Sequence, residues 1–68
     1  MGLDAKQLRS RMNSMRANLT MMRSLPAVNQ REALDKLNEA RRLLDLGNED
    51  KLQSVAVLLQ QARQAMQA

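Results

Sequence analysis

The apolar residues of this chain fall at helical spacing in three separate runs, and two short breaks hold the runs apart. In the first run Leu8, Met12, Met15, Leu19 and Met22 step alternately by four and three residues. At about 100° per residue they share one helical face. The second run reads Ala33, Leu37, Ala40 and Leu44, widened on one side by Leu34, and the third reads Leu52, Val55, Leu59, Ala62 and Met66. Pro26 stands in the first break and disfavours helical geometry at Leu25. Gly47 stands in the second and can take the left-handed conformation that closes a helix. No stretch alternates with the period of two that a half-buried strand requires.

Polar residues at the expected boundaries agree with this division. Asp4 can cap the first helix, with Gln7 completing a capping box and Leu3 packing on Leu8 as a hydrophobic staple. Asn29 and Glu32 form a second box, and Asn48 can cap a third helix whose first turn holds Glu49 and Asp50, on the side the macrodipole favours. The expected fold is all-α: a single domain over residues 1–68, with helices at about 4–24, 29–46 and 48–66. Short connections make successive helices antiparallel, which predicts a small up-down-up three-helix bundle. The alternative is a helical hairpin that assembles with other copies into a larger bundle.

A chain of 68 residues has room for one marginal core, and this one has no cysteine, histidine, phenylalanine, tyrosine or tryptophan. Disulfides and thiolate metal sites are excluded, and the commonest general base and metal ligand is missing. The carboxylates of the second helix have basic neighbours, and the only glycines, Gly2 and Gly47, cannot build a phosphate loop. We therefore expect no enzyme activity and no cofactor. Charges interrupt every apolar stretch, so neither a signal peptide nor a membrane span is legible, and a cytoplasmic location is expected.

The outward faces carry the functional information. On the second helix Arg31, Asp35, Glu39 and Arg42 point away from the core, with Glu32 and Lys36 spaced as an ion pair, as a solvated face should be. The first helix departs from this rule. Opposite its core face lie Ser10, Ser14, Ala17 and Met21, all small or apolar and none charged. Such a stripe lets another helix backbone approach closely, and Met21 can adapt to an irregular surface. The third helix presents Gln53, Val57, Gln60, Gln61, Gln64 and Gln67 outward, a charge-free face centred on Val57.

The net charge of +4 resides in the first helix, where Lys6, Arg9, Arg11, Arg16 and Arg23 oppose only Asp4. Arg9, Arg16 and Arg23 recur every seven residues, roughly 10.5 Å apart on a helix. These patterns point first to a non-enzymatic protein–protein interaction module, an adaptor or regulator that packs against itself or a partner. Its contacts would be Ser10, Ser14, Ala17, Met21 and Val57, with the arginines orienting an acidic partner. The competing expectation is a basic helical bundle whose Lys6, Arg9, Arg11, Arg16 and Arg23 contact the phosphates of RNA or DNA. No aromatic is present to stack on bases or to anchor at lipid headgroups, and a membrane surface ranks below both. The two leading expectations differ in one structural respect: whether another helix already pairs with the arginine stripe.

Overall fold

The computed structural model describes residues 3–67, and it contains three α-helices packed on one another with no strand among those residues. Helix α1 spans Ala5–Met21, α2 spans Ala27–Leu46 and α3 spans Leu52–Met66, the last preceded by a single 3-10 turn at Glu49–Lys51. Polar contacts across the helices fix the directions. Arg9 reaches Asp45 and Arg16 reaches Asn38, so α2 descends as α1 rises. Asn29 reaches Ala65, so α3 rises again. The bundle measures 35 × 19 × 16 Å. Its long axis is set by the 20 residues of α2, which span about 30 Å at 1.5 Å per residue.

The core forms where the three apolar runs meet. Leu8, Met12, Met15 and Leu19 come from α1, Ala33, Leu37, Ala40 and Leu44 from α2, and Val55, Leu59, Ala62 and Ala65 from α3. Leu37, Leu59 and Val55 are the largest side chains with no solvent contact. Leu52, Met22 and Met66 close the ends of the core as partly buried residues, and Leu34 stays 39% exposed on the flank of α2. Small alanines on α2 and α3 allow those two helices to pack most closely. α1 lies across both, more fully on α2 than on α3. No polar side chain is buried among the described residues, so the core they form contains no group whose desolvation must be offset.

The helix boundaries depart from the sequence expectation in instructive ways. α1 ends at Met21 rather than near residue 24, because the chain turns early to bury Leu25, which is only 7% exposed. The Met22 and Leu25 amides close this turn on the Leu19 and Met22 carbonyls. α2 begins at Ala27, two residues before the Asn29 box, with Pro26 in the extended cap position. Proline has no amide hydrogen to leave unsatisfied there, and its fixed φ suits the entry. Asn29 is thereby released from capping, and its Nδ2 donates to the Ala65 carbonyl at 3.1 Å, one of the otherwise unpartnered carbonyls at the end of α3. At the start of α1 the Asp4 carboxylate accepts from the Lys6 amide at 2.9 Å. Gly47 closes α2 at φ 73°, its amide bonded to the Leu44 carbonyl. Asn48 is extended as expected but makes no side-chain cap, and the third helix opens as 3-10 before becoming α at Leu52.

Candidate interaction surface

Each element of the bundle directs a different side of α1 toward a different environment. On the α2 side, an Arg9 guanidinium nitrogen lies 3.0 Å from the Asp45 carboxylate, and Arg16 donates to the Asn38 side-chain oxygen at 2.9 Å. Asp45 also approaches Arg41 at 3.9 Å, one turn earlier on α2. These contacts are solvent-exposed, so each is worth at most about 1 kcal/mol. Their geometric consequence is larger: two of the three arginines in the seven-residue repeat are turned onto α2. The third does not continue the row. Arg23 lies beyond the end of α1, exposed in the turn before Leu25, so the regular 10.5 Å ladder of the helical reading does not form.

The remaining two cations do not converge. Lys6 and Arg11 are both exposed, but five residues apart they point about 140° away from each other around α1. On α2 the bidentate pair is Arg42 with Glu39, at 2.6 and 2.8 Å, rather than the Glu32–Lys36 pair expected from spacing. The hydrogen bonds from Arg42 hold the Glu39 carboxyl below its ordinary pKa, and the same partnership raises that of Arg42.

The outward stripe is open throughout. Ser10, Ser14, Ala17 and Met21 are all exposed, and Met21, the last residue of α1, reaches 79%. Thr20, beside the stripe, turns its hydroxyl back to the Ala17 carbonyl at 2.7 Å and so adds little outward polarity. Val57 is 46% exposed within the glutamines of α3. It lies on a different helix from the stripe. No helix among the described residues is long and apolar enough to cross a membrane, and no cluster of three or more acidic side chains among them is arranged to hold a metal ion.

One feature escaped the sequence reading. Because α1 packs least closely on α3, a groove of about 600 Å³ opens between the carboxyl-terminal halves of these two helices. Met15, Met21, Met22 and Met66 line it, with Arg11 and Asn18 on one bank and Arg63 and Gln67 on the other. Met15 and Met66 read as core residues from their spacing, and Arg63 lies in a run dominated by glutamine. The signal was Met15, Met21 and Met22 toward the end of the first run and Met66 at the end of the third, which become a single surface only once α1 and α3 are known to run parallel.

Comparison with protein-family models, with curated proteins and with solved structures finds no match to this chain.

Proposed function

We propose that this chain is a non-enzymatic helical interaction module, a small adaptor or regulator, that works by packing against a partner protein or against a second copy of itself. The observation that carries the reading is the charge-free stripe of Ser10, Ser14, Ala17 and Met21, exposed along its length on the one helix that holds the whole net positive charge. A charged residue at any of these positions would raise solubility without disturbing the core. A docking helix instead gains close backbone approach along the serines and alanine and an adaptable contact at Met21. Val57 is a second, separate contact in this reading.

The arrangement of cations supports protein over nucleic acid. Arg9 and Arg16 are occupied by α2, Arg23 leaves the helical row, and Lys6 and Arg11 diverge. A phosphate backbone needs several free cations along one track. The setting we propose is the cytoplasm.

The test is sedimentation of the purified chain, wild type and Ala17→Glu, alone and with bulk nucleic acid. Association that Ala17→Glu weakens, at unchanged helical content, supports the module. Salt-sensitive sedimentation with nucleic acid that Ala17→Glu leaves intact overturns it in favour of phosphate binding.

A further inference from the structure

The groove between α1 and α3 combines an apolar floor with two cations unpaired among the described residues and no acid in its lining. Its floor is methionine, an unbranched and polarisable side chain suited to partners of variable shape. Its two banks carry Arg11 and Arg63, and no salt bridge or side-chain hydrogen bond engages either guanidinium among the described residues. Arg63 has a local reason for its place, since a cation in the last turn of α3 complements the helix dipole. Arg11 sits in the middle of α1 and has none. The contrast with the opposite flank is direct: there Arg9 meets a carboxylate on α2, whereas here two like charges face a common apolar floor without an acid between them.

We infer that this groove docks an amphipathic helix of a partner protein that carries acidic residues on either side of its apolar stripe. The inference rests on the module reading above and gives the partner its chemistry. The apolar stripe settles on Met15, Met21, Met22 and Met66, and the flanking carboxylates meet Arg11 and Arg63. Met21 belongs to both surfaces, so the docked helix continues along α1 toward Ala17 and Ser14.

The experiment uses the full chain with its methionine methyl groups labelled for nuclear magnetic resonance. The probe is a synthetic Leu/Glu amphipathic peptide of about four turns, and a Leu/Lys peptide of the same spacing is the control. The Leu/Glu peptide should shift the methyls of Met15, Met21, Met22 and Met66 saturably and leave Met12, buried elsewhere in the core, unchanged. Arg11→Gln and Arg63→Gln, both at exposed positions, should each weaken it by about two- to fivefold. Arg11→Glu with Arg63→Glu should invert the preference toward the Leu/Lys peptide. The inference is overturned if neither peptide gives a saturable shift, or if both act equally. It is also overturned if the same methyls move with concentration of the chain alone, which makes the occupant a second copy. A response to anionic vesicles or RNA that exceeds the peptide's and vanishes with the two arginines overturns it as well. If the groove methyls ignore both peptides while Ala17→Glu still weakens association, the groove fails and the module stands. If neither responds, the module reading fails with it.

Discussion

Replacing Leu37 by alanine removes three carbon atoms from a side chain with no solvent exposure, at the middle of α2 where the other two helices meet it. Transfer of those atoms from water to the core accounts for about 2.4 kcal/mol at roughly 0.8 kcal/mol per carbon. The vacated space adds a cavity term, and the surroundings decide its size. Ala33, Ala40 and Ala62 are fully buried and cannot extend into the gap. Met12 and Met15 can rearrange and recover part of it. We therefore expect a loss of about 3 kcal/mol, within the range of about 2–5 for such deletions. At about 0.05–0.15 kcal/mol per residue, a chain of 68 residues has roughly 3–10 kcal/mol in all, so this one change removes a large share. Urea unfolding followed by far-ultraviolet circular dichroism measures it. With a slope near 1 kcal/mol per molar for so small a domain, the midpoint should fall by about 3 M with little change in slope. Leu34→Ala, on a partly exposed flank, is the control and should cost less than about 1 kcal/mol. Equal losses at Leu34 and Leu37 would refute the rotation of α2 against the core described above.

Two further predictions concern the backbone and the charges. Gly47→Ala should cost about 1–2 kcal/mol in the same assay, because the φ of 73° is strained for any residue with a Cβ even though the added carbon would meet nothing within 4 Å; a neutral outcome would mean that α2 does not end as described. Glu39 should titrate below an ordinary glutamate in the folded chain and return to the ordinary range in Arg42→Gln. Since the folded value is the lower one, the pair's small contribution is present above the unfolded pKa and is lost as pH falls through the folded value, which carboxyl nuclear magnetic resonance can follow.

How far the sequence could be read depended on which interactions repeat. The core face of α2 follows from spacing alone, because Ala33, Leu37, Ala40 and Leu44 have no competing arrangement at helical period. Gly47 is equally clear, since few residues other than glycine tolerate the conformation it adopts. Boundaries were harder, because the groups that decide them lie far away in sequence. Asn29 could cap its own helix or that of α3, and only the meeting of α2 with α3 at Ala65 selects the second. Leu25 is isolated between two helices, so no periodicity announces that it belongs to the core. The exposed stripe of α1 was legible as the complement of its core face. The methionine groove was not, because it is assembled from two helices whose relative placement is a tertiary fact.

The distribution of charge constrains what can cover the open side of α1. α2 and α3 are each close to neutral in sequence, so neither holds surplus acid for the cations of α1. Of these four, only Arg9 meets a carboxylate among the described residues, and Asp45 already shares its charge with Arg41. Arg16 receives an amide oxygen, which satisfies a donor without neutralising the charge. Screening confines each remaining charge to about 8 Å at physiological ionic strength, so the excess acts locally rather than as a property of the whole molecule. Along the flank toward α3 the local charges are Arg11 and Arg63, both positive and both lining the methionine groove. A basic helix laid there would desolvate like charges against one another. An acidic one would gain an ion pair at each bank while burying the same apolar floor. The acidic partner we infer thus answers a net charge of +4 that α1 carries while the acids of α2 are balanced by cations of its own.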